Sequence, residues 1–340
     1  MNKTRFISIG FGLLLAVLVL SSSAIADSNK GIGYQENSGL VTITTGNATI
    51  IVQTRSGEPM FQYFTNDGFN YTIIFKQLIE YYDLNNDGAF QYNETIPGVP
   101  IFTLMSVKWT FSGFIADVDE NNVVTAVHFN FTSSTVMNKF YDSLDMVIAA
   151  HIFLYDTTID SYTIEGGTEL KFDIIINSYP WMKTDSNLAL RFDITPAKGA
   201  KVSDCHGKPI DTNTNTTNME KRVEHKENQV KQRINIQAGN HEGYFAYANQ
   251  SRIRTTTQNQ YHNAPVNASI STDGKGDLST FLSFSHFDQL IYDPSIGSTT
   301  IEETSTSSEG NTTTTVPIAF IAVLISTVSI GALIRKRINN

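Results

Sequence analysis

The most constraining feature of the sequence is a series of short runs in which apolar and polar residues alternate. The run LVTITTGNATIIVQT begins at Leu40 and is rich in β-branched residues, with Gly46 and Asn47 indicating a turn. Similar runs follow at short spacing, among them MVIAAHIFLY, ELKFDIIIN, LALRFDI, EGYFAYA and FLSFSHF. Many short strands separated by turn residues are typical of two packed antiparallel sheets. We therefore expect a mainly β fold, a β-sandwich, over residues 27–297.

One segment favours a helix instead. In YTIIFKQLIEYY, residues 71–82, the apolar residues Phe75, Leu78, Ile79 and Tyr82 follow the spacing i, i+3, i+4, i+7. That spacing places them on one face of an α-helix. The prediction is a single helix within the β fold, which ends where an acidic loop begins.

This acidic loop, residues 83–94, reads DLNNDGAFQYNE. It resembles the calcium loop of the EF-hand family, D-x-[DN]-x-[DN]-G-x5-E, at every defined position. Ca²⁺ takes six to eight oxygen ligands, and Gly88 allows the sharp turn that the loop needs. The resemblance implies Ca²⁺ bound by side chains, by one backbone carbonyl (Ala89) and by a bidentate glutamate: Asp83, Asn85, Asp87, Ala89, Gln91 and Glu94.

Two departures from the EF-hand pattern limit what the loop could do. Pro97 and Gly98 follow Glu94 closely and leave no room for an exit helix. The sequence also has no second loop of similar quality to form a pair. A calcium sensor moves two helices apart around its site, so we expect a structural calcium clip rather than a sensor. The alternative is an ordinary acidic turn, since Asp, Asn and Gly are common turn residues.

Both ends of the chain resemble membrane-targeting segments. Residues 1–26 combine Lys3 and Arg5 with an apolar stretch and an Ala24-Ile25-Ala26 cleavage site, as in a signal peptide. Residues 298–315 form a Ser/Thr-rich stalk, and residues 316–334 are an uncharged run long enough for a transmembrane helix. The basic residues of the tail, 335–340, place it in the cytoplasm. This order of segments resembles single-pass surface proteins of archaea, although the tail also resembles signals that are replaced by a lipid.

The charge and cysteine content narrow the classes of partner. The chain has 24 Lys and Arg against 33 Asp and Glu, for a net charge of −9. Five of the 24 basic residues and none of the acidic ones lie in residues 1–26 and 335–340, so the ectodomain is more acidic than the whole chain. This balance argues against nucleic acid as a partner and suits divalent cations. Cys205 is the only cysteine, so the ectodomain has no internal disulfide.

Sequons of the form N-x-[ST] are spread over the predicted ectodomain and stalk. We expect surface glycans at Asn47, Asn70, Asn130, Asn215, Asn249, Asn267 and Asn311. Asn93 is also in a sequon, but it lies inside the calcium loop, where a glycan could crowd the ion site.

Other polar or aromatic clusters are better explained as turns or packing than as catalytic or binding sites. Asp117 to Asn121 and Asp273 to Asp277 are interpreted as turns, and Cys205, His206 and His225 lack the spacing of a zinc site. Tyr179 to Met182 could present aromatic rings to a sugar, but such residues more often cap the edge of a sandwich. Residues 196–232 contain few large apolar side chains and are predicted to be a polar excursion from the sandwich.

We therefore expect a calcium-binding, membrane-anchored cell-surface protein with a structural or adhesive role, and not an enzyme. The alternative is a carbohydrate-binding or carbohydrate-active ectodomain. Two carboxylates facing each other across a cleft would favour an enzyme, whereas exposed coplanar aromatic rings would favour sugar binding.

Overall fold

The computed structural model describes residues 31–37, 39–53, 59–136, 144–159, 162–213, 222–223 and 230–300. All of them lie within one unit, Met1–Glu302. The predicted signal peptide, most of the stalk, the transmembrane segment and the tail fall outside the described residues. No helix within those described ranges is long and apolar enough to cross a membrane.

The protein is mainly β. The first strands are β1 Gly33–Asn37, β2 Leu40–Thr44, β3 Ala48–Gln53, β4 Met60–Thr65, β5 Asn70–Tyr81, β6 Phe102–Thr103, β7 Val107–Phe111, β8 Ile115–Val118, β9 Val124–Val136, β10 Asp145–Phe153, β11 Thr157–Ile159 and β12 Tyr162–Ile164. They are followed by β13 Leu170–Ser178, β14 Asn187–Pro196, β15 Lys201–Ser203, β16 Pro209–Ile210, β17 Arg222–Val223, β18 Lys231–Ala238, β19 His241–Ala248, β20 Gln250–Thr255, β21 Gln258–Thr272, β22 Leu278–Phe284, β23 Gln289–Tyr292 and β24 Ser295–Thr300. Two single 3₁₀ turns, Tyr92–Glu94 and Leu104–Ser106, are the helical elements of the described residues.

Almost all of the strands form two antiparallel sheets. In the first sheet the order is β1-β2-β3-β4-β5-β14-β22-β21-β17, with β6 also beside β5. In the second sheet β7 and β8 pair with β9, which is followed by β10 and β13. Beyond β13 the second sheet divides. One branch is β24-β19-β18-β15-β16, and the other is β23-β20-β21. Strand β21 therefore belongs to both sheets.

The inner faces of the two sheets share one hydrophobic core. Along β10, Met146, Ile148, Ala150 and Ile152 are buried while the residues between them are not, as the alternating sequence predicts. Rings from the two sheets meet in the core: Phe61 of β4 lies 4.6 Å from Phe172 of β13 between ring centroids. The mainly β prediction is confirmed, and the packing is consistent with a β-sandwich.

The predicted helix at residues 71–82 is wrong, because this segment is strand β5. Its first half alternates normally, but a bulge occurs opposite the step from Arg191 to Phe192 of β14. The extra residue changes the spacing of core-facing side chains from two to three, so Phe75 is followed by Leu78. Ile79 and Tyr81 then face a second apolar cluster on the other side of the sheet. Because apolar residues after the bulge are buried on both faces of the strand, their spacing in the sequence resembles that of a helix.

Two predicted boundaries also change. Within the polar excursion 196–232, β15 pairs with β18 and β16 pairs with β15, so part of this segment extends the second sheet. At the other end, β24 continues to Thr300. The first three residues of the predicted stalk therefore belong to the folded unit.

Candidate functional site

The calcium-like loop lies against the outer face of the first sheet. It follows β5 directly and covers a small apolar cluster formed by Ile79, Tyr81, Phe90, Ala189 and Phe281. The Phe90 side chain is fully buried in this cluster. The loop is thus packed on a sheet rather than held between two helices.

Hydrogen bonds also fix the middle of the loop to the sheet. The backbone N–H of Phe90 donates to Oγ of Ser283 at 2.9 Å, and Oγ of Ser269 donates to the backbone carbonyl of Phe90 at 2.7 Å. These serines lie on neighbouring strands β22 and β21. The sheet therefore supports the centre of a loop that has no second loop to pair with.

Side-chain oxygens at the predicted ligand positions organise the turn. Oδ2 of Asp83 accepts the N–H of Gly88 at 2.9 Å. Oδ1 of Asn85 accepts the N–H of Asp87, and Oδ1 of Asp87 accepts the N–H of Ala89. These hydrogen bonds hold the loop in its curved conformation.

Gly88 suits the backbone conformation of the loop and its close approach to a neighbouring side chain. Its φ of +75° is a backbone conformation that glycine adopts without strain. A β-carbon at this position would lie 2.4 Å from Nδ2 of Asn267 in β21. The glycine of the motif thus makes the turn and also allows the loop to approach the sheet.

Glu94 holds its carboxylate inside the loop, where it connects the beginning of the loop to its end. Its carboxylate accepts the N–H of Leu84 at 3.0 Å through Oε1 and the N–H of Gln91 at 2.9 Å through Oε2, and only 2% of the residue is exposed. Burial raises the pKa of Glu94, the two backbone hydrogen bonds oppose that rise, and the nearby charges of Asp83 and Asp87 add to it. Three acidic groups therefore influence one another at this position.

One buried carboxylate oxygen in the loop favours a cation bound by oxygen ligands. Oδ1 of Asp83 is buried and has no hydrogen-bond partner among the described residues. A buried carboxylate oxygen without a partner is costly unless a cation or a donor meets it. Gln91 also lies close, because its Nε2 donates to Oδ2 of Asp87 at 3.2 Å.

Two observations weigh against a preformed metal centre. Within the described ranges, no group of three or more His, Cys, Asp or Glu side chains is spaced so as to hold a metal ion. Both carboxylate oxygens of Glu94 already accept N–H groups. Each carboxylate oxygen has two lone pairs, so an ion could share them, and EF-hand ligands also include Asn, Gln and a backbone carbonyl.

The sequons have unequal surroundings. Asn47 and Asn93 are exposed, while Asn70, Asn130 and Asn249 are partly buried, and Asn215 and Asn311 lie outside the described residues. The sequence singled out Asn93 as the sequon that could crowd the loop. The structure shows that Asn267 instead places its amide nitrogen against Gly88.

The other sequence candidates behave mostly as turns. Asp119 accepts the N–H groups of Asn121 and Val123 in the β8–β9 hairpin. Asp273 accepts the N–H of Lys275 in the β21–β22 turn. Sγ of Cys205 lies 3.3 Å from Nδ1 of His206 in a short turn, and His225 is outside the described residues.

The aromatic segment at Tyr179 is part of the core. Tyr179 is 6% exposed, and the Trp181 ring contacts it and the rings of His286 and Phe287. Nε1 of Trp181 donates to the carbonyl of Phe287 at 2.8 Å. This segment caps the packed sheets, as the sequence favoured, and does not present a row of exposed rings.

Sequence reasoning missed a row of titratable residues on the outer face of the second sheet. His128 on β9, His151 on β10 and Lys171 on β13 are direct cross-strand neighbours. Nδ1 of His128 lies 2.8 Å from Nδ1 of His151, and Nζ of Lys171 contacts Asp173 and lies 3.0 Å from Oδ1 of Asp293. Burial, together with the charge of Lys171, lowers the pKa of His151 to about 4, although Asp293 opposes this. The imidazole is therefore neutral at physiological pH.

Comparisons with known proteins add little. No protein-family model matches the chain, and no curated protein matches it. One similar solved structure is described as a crystal structure analysis of HI1317, with 8% identity over 79% of this chain and 99% of that chain. Its TM-score of 0.31 is too low to establish a shared fold.

Proposed function

We propose that residues 83–94 bind one Ca²⁺ as a structural clip, in a β-sandwich ectodomain with a structural or adhesive role at the cell surface. The observation that carries this proposal is the buried, unpartnered Oδ1 of Asp83 within a loop that is already curved and acidic. The cell-surface location is supported by the sequence of the two ends of the chain, residues 1–26 and 298–340.

Six residues of the loop would act as ligands of the ion. Asp83, Asn85 and Asp87 would supply side-chain oxygens, Ala89 its carbonyl, and Gln91 and Glu94 the remaining ligands. The ion would supply positive charge where three acidic side chains lie together, and so remove their repulsion. Because Phe90 and the two serines fix the loop to the first sheet, ion binding would stabilise the fold rather than move an element.

The affinity is expected to be low. Only Asp83, Asp87 and Glu94 carry charge in this loop, and extracellular calcium modules bind with dissociation constants of about 10⁻⁴ to 10⁻³ M. Anything that binds the folded state alone raises its stability with ligand concentration. The melting temperature should therefore increase steadily across the millimolar range of Ca²⁺.

The test is thermal melting of the full-length protein with Ca²⁺ or Mg²⁺, for the parent and Asp83→Asn. Asparagine keeps an oxygen for the Gly88 N–H but removes the charge. We expect a calcium-selective rise in melting temperature for the parent and a much smaller rise for Asp83→Asn.

Asp273→Asn is the matched control, because Asp273 also accepts backbone N–H groups in a glycine-containing turn. It should respond to Ca²⁺ as the parent does. If the parent shows no calcium-dependent rise, or if Asp83→Asn keeps all of it, residues 83–94 are an acidic turn and the clip is refuted.

A further inference from the structure

A pocket of about 420 Å³ lies on the outer face of the second sheet, where the sheet divides beyond β13. One branch leaves through β24 and the other through β23, so the two branches leave an opening between them. Lys171 and Asp173 of β13 contribute to the lining, with Asp293 from the connection between β23 and β24. A division within a sheet thus creates a concave site away from the calcium-like loop.

The lining of this pocket combines polar and apolar side chains and carries both signs of charge. Tyr162 of the β11–β12 hairpin, Lys231 of β18, Arg252 of β20 and Asn263 of β21 line it together with Lys171, Asp173 and Asp293. Lys171 is paired with both acidic side chains of the lining, and Lys231 lies 3.7 Å from Oε1 of Glu169. Arg252 is therefore the basic side chain of the lining without an acidic partner within the described ranges, and it favours a ligand with an anionic group.

The acidic side chains are held in place by Lys171. Its ammonium group contacts Asp173 and lies 3.0 Å from Oδ1 of Asp293, and the lysine itself is 6% exposed. The described residues give no hydrogen bond to Oδ2 of Asp293. That oxygen is an acceptor suited to the hydroxyl of a ligand.

Two basic side chains of the lining, Lys231 and Arg252, differ in whether they already have partners within the protein. Nζ of Lys231 lies 3.2 Å from the centroid of the Tyr162 ring and 3.7 Å from Oε1 of the buried Glu169, and it donates to Oγ of Ser295. Burial lowers the pKa of Lys231 to about 7, against the opposing charge of Glu169. Arg252 is exposed and forms no ion pair within the described ranges. A guanidinium group of this kind is suited to a carboxylate, which it can bind through two parallel hydrogen bonds.

We propose that this pocket binds a sugar acid, with Arg252 meeting the carboxylate and Oδ2 of Asp293 accepting a hydroxyl. The ligand chemistry follows from the combination of groups: a simple anion would not use the acidic oxygen, and a neutral sugar would not use the guanidinium. Asp173 and Lys171 are positioning residues, because they fix the orientation of Asp293. The site does not depend on calcium binding at residues 83–94.

The test is isothermal titration calorimetry of the full-length protein with D-glucuronate and D-galacturonate. D-glucose and D-galactose are the matched ligands without a carboxylate, and acetate is the carboxylate without hydroxyls. We expect at least one sugar acid to bind, and its neutral counterpart and acetate to bind at least about tenfold more weakly, since a hydrogen bond to a charged group contributes that much.

Arg252→Gln should weaken binding of the sugar acid by at least about tenfold. Arg254→Gln is the matched control, because Arg254 is on the same strand and does not line the pocket. Equal loss in both variants would contradict a specific role for Arg252. The proposal would be overturned if neither sugar acid bound, or if the neutral sugars or acetate bound equally well. An unchanged melting temperature shows that a variant is folded.

Discussion

At the scale of single residues, Glu80 shows how one buried carboxylate can organise a loop. It is 2% exposed near the end of β5 and accepts three hydrogen bonds, from the N–H groups of Met182 and Lys183 and from Oγ of Ser186. These donors belong to the loop between β13 and β14, about a hundred residues away in the sequence. Glu80 therefore fixes the segment that carries Trp181 to the first sheet.

Replacement of Glu80 by alanine should leave these three donors, the buried Ser186 hydroxyl and two partly buried N–H groups, without an acceptor. Each unsatisfied buried donor costs about 1–3 kcal/mol, so we expect a loss of about 3 kcal/mol in the free energy of unfolding. Urea unfolding measures this change. Glu36→Ala is the control, because Glu36 is exposed on β1 and its loss should change stability by less than about 0.5 kcal/mol. A similar small effect for Glu80→Ala would show that the loop does not depend on this carboxylate.

At the scale of elements, the loop 83–94 should respond to pH as a unit. Burial raises the pKa of Glu94, so in the absence of an ion the folded state favours its protonated form. Ionised Glu94 then costs stability above this pKa, and the cost disappears as the pH falls through it. Calcium binding requires the ionised carboxylate, so the stability that the ion adds increases as the pH rises through this pKa.

We therefore predict that the calcium-dependent rise in melting temperature is full at neutral pH. It should shrink as the pH falls through the raised pKa of Glu94. Melting curves with and without Ca²⁺, recorded from neutral pH down to about pH 4, measure this difference. A rise in melting temperature that stayed constant over the whole range would exclude Glu94 as a ligand.

Elements whose signals are local in sequence were the ones that could be predicted. Alternation predicted the strands, and the residue types of 83–94 predicted a sharply turned loop, since both signals lie within a few neighbours. Strand β5 was mistaken for a helix because its bulge depends on pairing with β14, which follows more than a hundred residues later. Lys171 and Asp293 are 122 residues apart, so their contact depends on strand register that no local pattern contains.

At the scale of the whole molecule, the folded unit is predicted to need its last strand in full. Ser298, Thr299 and Thr300 pair with Gly243, Glu242 and His241 of β19. Oγ of Ser298 also lies 2.9 Å from the buried hydroxyl of Tyr63 in the first sheet.

A chain that ends at Gly297, the predicted end of the ectodomain, should therefore melt at least about 3 °C below one that ends at Glu302. Thermal melting followed by circular dichroism compares the two. Equal melting temperatures would show that the end of β24 contributes nothing to stability, and the boundary at residue 297 would then be adequate.

The position of β24 also affects how the protein can be made. It lies inside the second sheet, between β13 and β19, although it is the last strand in the described part of the chain. A chain that emerges from its N-terminus must keep the facing edges of β13 and β19 open until residues 295–300 arrive. Those open edges are templates for pairing with other chains. Synthesis of this protein therefore includes a late interval in which two nearly complete parts of the sheet wait for β24 to join them. The protein is most exposed to aggregation during that interval.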